Sequence, residues 1–255
     1  LNFTVAVATP GRIDSLELLK KSFNETTSKP NRIEFIFIDN ANTFDLDLSD
    51  WLDDLNAEKK RFIKNETSQS VAQFWHRFIV IAEYNWVILV NDDVLFTSKW
   101  DKRLEGLISD NPSFGMFLMC LPQQFSGFAI NKEFYEKYGP FRQEYPRGGW
   151  EDIDFFMTVA LKAGCKSRKE IYDQCIYPAD GLEGGPLIKH HILRDSKYRR
   201  SWNHAMNFRV FEKYWERVDA LEGAIWTHDG KICRPKPGLP LNKIPPPWPE
   251  ESKED

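Results

Sequence analysis

Cysteine is scarce in this chain of 255 residues, and Cys120, Cys165, Cys175 and Cys233 form no Cys-x-x-Cys pair, so neither a thiolate zinc site nor a disulfide framework is indicated. Two of the four sit in apolar or helical contexts that suit buried thiols. No apolar run reaches the roughly 18 residues of a membrane-crossing helix, and the residues after Leu1 show neither a charged leader nor a signal-like apolar stretch. An excess of one charge is also missing. With 34 Lys and Arg against 38 Asp and Glu, the net charge is −4 and the isoelectric point about 5.8, which gives no global attraction to nucleic acid or anionic lipid. There is no internal repeat. Three Asn-x-Thr sequons, at Asn2, Asn24 and Asn65, are no more than chance supplies. The expectation is a soluble domain, cytoplasmic or part of a larger protein, rather than one in the secretory lumen, with no nucleic-acid partner and no transmembrane segment.

What is present is an alternation of strand and helix signals, the pattern of a parallel sheet with crossover helices. Hydrophobic residues make up 42%, enough for one large α/β core. The run 3–8 reads as a strand ending at Thr9-Pro10-Gly11, and Ile13, Leu16, Leu19 and Phe23 follow at helical spacing. A second strand over 33–38 stops at Asp39-Asn40. Ser70 and Gln73 have capping-box form, and Val71, Phe74, Trp75, Phe78 and Ala82 then share a helical face, with Trp75 read as core. Beyond the strand at 86–90, helices are expected at 100–108 and 132–138 and strands at 115–120 and 125–130. Ile153, Phe156, Met157, Ala160 and Ala163 define a further helix that Gly164 stops. Leu187-Ile188 is strand-like and leads to His190-His191. A basic, aromatic helix is expected from Ser196 to Val218, and a Pro-rich, charged, extended tail over 234–255.

Two acidic clusters stand out. Asn91-Asp92-Asp93 closes the run Trp86-Val87-Ile88-Leu89-Val90, whose composition fits a strand buried on both faces, so its carboxylates emerge at the strand's C-terminal end. Open α/β sheets bind ligands at that edge. Hard oxygen donors in such a turn suit Mg²⁺ or Mn²⁺ bridging to substrate phosphates, although an Asp-Asp pair also simply terminates strands. The second cluster, Glu151-Asp152-Ile153-Asp154, opens the later helix, where acids interact well with the helix dipole whatever else they do. Gly148-Gly149-Trp150 immediately upstream adds backbone freedom and a flat ring beside a carboxylate, the parts of a sugar-hydroxyl site.

Taken together, these features resemble the nucleotide-sugar glycosyltransferases of the GT-A fold, especially family-2-like and galactosyltransferase-like members. The features match in order: Asp39 at a strand end, the DxD-type Asn91-Asp92-Asp93, the segment from Gly127 to Phe141, and Trp150-Glu151-Asp152 with Asp154 and a glycine after the helix. The likeness covers roughly residues 3–191. It implies an α/β Rossmann-like fold with a mixed, mostly parallel sheet flanked by helices, and a helical, Pro-rich C-terminal extension. The catalytic domain would span 1–195, with a nucleotide-binding half over 1–94 and an acceptor and catalytic half over 95–195. The helical extension covers 196–233 and the tail 234–255.

Carried over position by position, the resemblance implies that Thr9, Arg12 and Asp39 line the nucleotide pocket and that Asp92 faces the donor sugar or ribose. Asp93 would bind a metal, Mn²⁺ or Mg²⁺, with His190 or the adjacent His191 as a further ligand. Asn91 departs from the family's usual first aspartate. Gly149, Trp150 and Glu151 would bind substrate and Asp152 would be the general base. Thr158 stands where polymer-making family-2 enzymes often carry arginine, and no QxxRW-like motif follows, so a processive synthase is disfavoured. The implied activity is transfer of one sugar from a nucleotide-diphosphate sugar, UDP by family frequency, to a hydroxyl of a glycan or glycoconjugate, with inversion. A nucleotidyltransferase that makes sugar nucleotides is the nearer rival, but Thr9-Pro10-Gly11-Arg12 lacks the long glycine-rich basic loop such enzymes place over a triphosphate. A catalytically silent glycan-binding module on the same fold is the other, and Asn91 is its best support.

Overall fold

A computed structural model of the chain describes residues 1–40, 49–121, 124–146, 149–179, 182, 184–190, 209–217, 225–226 and 232–235. Strands Phe3–Thr9 (β1) and Ile33–Asp39 (β2) are buried along their whole length, because alternate side chains enter two separate cores. Helix α1 (Ile13–Thr26) connects them, burying Leu16, Leu19 and Phe23 but leaving the expected face residue Ile13 exposed in its first turn. A short helix α2 (Ser49–Asp53) and strand β3 (Lys59–Lys64) follow, then α3 (Val71–Ile81), β4 (Trp86–Asn91), β5 (Val94–Phe96) and α4 (Trp100–Asp110). Both halves of the expected capping box at Ser70 and Gln73 are formed.

The run expected as one strand over 115–120 is instead two short strands, β6 (Met116–Leu118) and β7 (Cys120–Leu121), in different sheets. Strand β8 (Gly127–Asn131), α5 (Lys132–Tyr138), α6 (Glu151–Ala163), α7 (Arg168–Gln174), β9 (Ile176–Pro178) and β10 (Ile188–His190) complete the order up to residue 190. The main sheet has seven strands in the order β3-β2-β1-β4-β8-β6-β9. Pairs β3/β2, β2/β1, β1/β4 and β6/β9 are parallel, while β8 runs antiparallel to both neighbours. A second sheet, β5-β10-β7, lies beyond the end of β4.

One core contains Ala6, Ala8, Ile36, Ile38, Val87 and Leu89 with residues of α3, α5, α6 and α7. The opposite core contains Val5, Val7, Phe35, Phe37, Ile88 and Val90 with residues of α1, α2 and α4. Phe23 sits among Phe35, Phe96 and Trp100, with centroids 5.2, 5.3 and 6.1 Å away. Truncating such a ring typically costs about 3–5 kcal/mol, so this cluster fixes α1 against the sheet.

Near the C-terminus the expected helix differs. Residues 209–214 are helical, but Trp215–Arg217 (β11) is extended and forms a three-stranded antiparallel sheet with Ile225–Trp226 (β12) and Ile232–Pro235 (β13). The expectation for 196–208 and for most of the tail falls outside the described residues. Among the described residues, no helix is long and apolar enough to cross a membrane. The sequon residue Asn65 is buried, its amide bonded to Arg77 and Asn40.

Candidate active site

The chain leaves β1 for β2 and β3 on one side, then returns to β4 on the other, so the C-terminal ends of β1 and β4 flank a topological switch point. Thr9 ends β1 there. Its hydroxyl donates to Asp92 Oδ2 at 2.6 Å and accepts from the backbone N–H groups of Gly11 and Arg12, which folds the Pro10-Gly11-Arg12 turn back over the edge. Gly11 has φ 105°, a conformation that suits only glycine.

That turn aims Arg12 at both acids. Its Nε donates to Asp92 Oδ2 at 3.0 Å, its Nη2 to Asp92 Oδ1, and its Nη1 to Asp93 Oδ2 at 2.9 Å. Burial alone lowers the guanidinium's pKa, and the two carboxylates more than reverse this. Asp92 is almost wholly buried, which pushes its pKa up, while Arg12 and the Thr9 hydroxyl pull it down. Burial is the larger effect, and the Asp92 pKa stays above the ordinary carboxylate value. Asp39, opposite Thr9 in the sheet register, is fully buried at the end of β2. Asn91 is half-buried opposite Ala8.

The second cluster is set up by backbone. Gly149 has φ 109° and Trp150 φ 76°. The first is ordinary for glycine, but the second is a strained conformation for a bulky residue, of the kind that concentrates at functional sites. Trp150 is the N-cap of α6 and offers no side-chain cap, so the first turn begins with the carboxylates themselves. Glu151 is buried, and its Oε2 has no hydrogen-bond partner among the described residues. Burial, and then the neighbouring Asp152 charge, push its pKa up to about 8, against the pull of the Gly149 and Glu151 backbone N–H groups. On balance the surroundings favour its protonated form. Asp152 is half-exposed and accepts from the Ile153 N–H at 2.8 Å.

Asp154 is bound differently. Arg142 Nε donates to its Oδ2 at 2.9 Å and the buried Trp215 Nε1 to its Oδ1 at 2.6 Å. The Arg142 guanidinium also lies 3.7 Å from the Tyr214 ring centroid, and Phe211 packs against Trp150 at 5.0 Å. Phe211, Tyr214 and Trp215 thus pack on Trp150, Arg142 and Asp154, and Trp150 is half-buried.

Among the expected residues, Thr9, Arg12, Asp92 and Asp93 are joined by direct bonds, with Asp39 beside them on the sheet edge. Gly149, Trp150, Glu151 and Asp152 adjoin at the start of α6, and no hydrogen bond or ion pair among the described residues joins the two groups. His190 pairs in register with Val94, next to Asp93, through the backbone of β10 and β5. His191 and Gly148 lie outside the described residues. Sequence reasoning missed Arg142 and Trp215, the partners of Asp154. His76 on α3 has its Nδ1 2.8 Å from the Tyr135 hydroxyl, where burial lowers its pKa. That is a structural contact.

For a divalent cation, the donor chemistry fits at one residue. Asp93 is a hard-oxygen donor at a sheet edge, half-buried, and accepts from Arg12 Nη1 at Oδ2. Asp92 is less suited, since both its oxygens are engaged. Among the described residues there is no group of three or more His, Cys, Asp or Glu side chains that would hold a metal on its own.

The mixed seven-stranded sheet with this switch point is the GT-A fold, that of the glycosyltransferases whose solved structures it resembles. One is residues 1–349 of Staphylococcus aureus TarS, 14% identical with a TM-score of 0.56 over 75% of this chain and 60% of that one. A second is GalNAc-T7 with UDP, GalNAc and Mn²⁺, 15% identical with a TM-score of 0.57 over 85% of this chain and 48% of that one. A third, the mannosyltransferase PcManGT from Pyrobaculum calidifontis with GDP-Man and Mn²⁺, is 15% identical with a TM-score of 0.50 over 62% and 52%. This chain therefore spans about half to three fifths of the length of those structures. No protein-family model and no curated protein matches the sequence.

Proposed function

We propose that the chain is a glycosyltransferase that takes one sugar from a nucleotide-diphosphate donor and passes it to a hydroxyl of a glycan or glycoconjugate. The observation that carries this reading is the Thr9, Arg12, Asp92, Asp93 network at the switch point of a GT-A sheet. The donor's diphosphate would lie over that edge, with Asp39 toward the nucleotide. UDP is the favoured nucleotide, and the GDP-Man bound by PcManGT keeps GDP in the test.

Asp152 is the general base in this reading. It is half-exposed, so an acceptor hydroxyl can reach it, whereas its neighbour Glu151 is buried and holds its own proton at neutral pH. Asp152 takes the acceptor's proton as the oxygen attacks the anomeric carbon, and Glu151 adds no second negative charge beside it. Attack from the face opposite the leaving diphosphate gives inversion. Trp150 places an aromatic ring beside the acids, and the Gly149 backbone allows close approach. Asp93, with His190 or His191 as a further candidate, would hold Mn²⁺ or Mg²⁺, which stabilises the charge of a departing diphosphate when bound.

The test is thermal shift and calorimetry of the wild type and Asp93→Ala with UDP-, GDP- and dTDP-sugars in Mn²⁺, Mg²⁺ or EDTA. Stabilisation by one nucleotide family that needs the metal and disappears in Asp93→Ala is the expected result. No shift with any sugar nucleotide under any metal would remove the donor site and leave the silent module as the better reading.

A further inference from the structure

The pairing of Arg12 is asymmetric. On Asp92 it makes two side-by-side bonds, with the Thr9 hydroxyl adding a third contact to the same buried carboxylate, whose side chain is 2% exposed. On Asp93 it makes one bond through Nη1, and that side chain is 13% exposed. The Arg12 side chain is 30% exposed. Planar two-point pairing to a buried carboxylate is geometrically fixed, whereas a single bond to a wetter one is readily exchanged. Arg12 therefore has one anchored side and one exchangeable arm, and the arm lies across the carboxylate best suited to a cation.

The charges reinforce the point. Arg12, Asp92 and Asp93 together carry one negative charge, so a divalent cation is attracted but must compete with Nη1 for Asp93. A diphosphate alone is opposed by Asp93 and must draw Nη1 away from it. When both arrive, each relieves the other's difficulty: the cation takes Asp93 and the freed Nη1 meets a phosphate oxygen.

We propose that Arg12 is a diphosphate-binding residue with two positions, staying on Asp92 in both and moving Nη1 from Asp93 to the diphosphate when a divalent cation binds. The proposal rests on the reading of this edge as a sugar-nucleotide site. It makes cation and nucleotide binding mutually dependent through one side chain, and coupling of this kind is reciprocal. It also gives Asp92 a distinct role, as the anchor that keeps the guanidinium at the site.

The experiment uses the full chain as wild type, Arg12→Gln and Asp93→Asn. Binding of Mn²⁺ alone is read from the free-ion electron paramagnetic resonance signal, and binding of UDP and GDP by calorimetry in EDTA and in Mn²⁺. Arg12→Gln should bind Mn²⁺ alone about fivefold or more tightly, because its competitor is gone. The same variant should lose about tenfold or more in nucleoside diphosphate affinity in Mn²⁺, because a charge-assisted bond is lost. Asp93→Asn keeps the Arg12–Asp92 pair intact, should bind the nucleotide in EDTA more tightly than wild type, and should gain nothing from Mn²⁺.

These opposite signs are not what a merely structural arginine produces. Unchanged or weaker Mn²⁺ binding by a folded Arg12→Gln protein overturns the proposal, as does an Asp93→Asn protein whose nucleotide binding in EDTA is unchanged or weaker. If Arg12→Gln does not fold, with Asp92 left unpaired, the Asp93→Asn arm decides alone. Wild type that binds UDP or GDP with Mn²⁺ while the variants fail these signs removes only the role of Arg12. Wild type that binds neither nucleotide removes the donor site as well.

Discussion

The two acidic clusters are built from the same residue types and are treated in opposite ways. At the end of β4, Asp92 and Asp93 share one guanidinium, and the turn after β1 is folded so that Thr9 and Arg12 meet them. At the start of α6, Asp154 has Arg142, but Glu151 has no hydrogen-bonded cation among the described residues and Asp152 reaches only a backbone N–H. A cluster whose acids share one guanidinium can exchange that counter-ion for another. A cluster with an unbalanced acid can hold or move a proton. In the proposed reading, the first region handles phosphate and the second handles the proton.

The comparison breaks first, and by the largest amount, at Asp152. Asp152→Asn is expected to lower the turnover of sugar transfer by about 10²–10⁴-fold with little change in donor affinity. Asp93→Asn is expected to weaken donor binding in Mn²⁺ instead. Steady-state kinetics with donor titration by calorimetry separates the two, and an Asp152→Asn protein that loses donor affinity in proportion to turnover would erase the division of labour.

A second effect is on stability. Arg142→Met leaves the buried Asp154 with only the Trp215 N–H, and removing one partner of a buried pair costs about 3–5 kcal/mol, the lower end applying to an arginine that is not fully buried. Urea denaturation measures this. A loss below about 1 kcal/mol would mean that the pair behaves as a surface ion pair.

The smallest effect concerns pH. The pKa of Glu151 is raised from 4.5 to about 8, so between those values the folded chain holds a proton that the unfolded chain releases, and stability falls as pH rises. Asp152 and Asp154 on the same helix push in this direction, and the backbone N–H groups of Gly149 and Glu151 oppose it. Glu151→Gln should remove a slope of at most about 1.4 kcal/mol per pH unit between pH 6 and 7, since one group binds one proton. Denaturation midpoints of both proteins across that range provide the check. Identical slopes would show that Glu151 is charged in the folded protein.

Legibility in the sequence followed burial. Strands β1, β2 and β4 are apolar on both faces and could be read directly, and so could α6 with its stop at Gly164, whose φ is 74°. Strand β3 could not, because Lys59-Lys60-Arg61-Phe62-Ile63-Lys64 is an edge strand whose lysines suit an edge and mask the pattern. The run 115–120 looked like one strand because nothing local reveals that the chain changes sheets at Met119. The acids themselves were visible, but their partners were not: Arg12 is about eighty residues from Asp92 in sequence, and Trp215 is 61 from Asp154. Nor could residue type distinguish Glu151, buried, from Asp152, half-exposed, since one step around a helix decides it.

The most direct test of the whole account is release of sugar and nucleoside diphosphate from UDP- and GDP-sugars, with Mn²⁺ and no acceptor, by wild type and Asp93→Asn. The account predicts slow donor hydrolysis by wild type for one nucleotide family, with Asp93→Asn near background. Absence of hydrolysis of every donor by a folded wild-type protein that nonetheless binds glycans would contradict it.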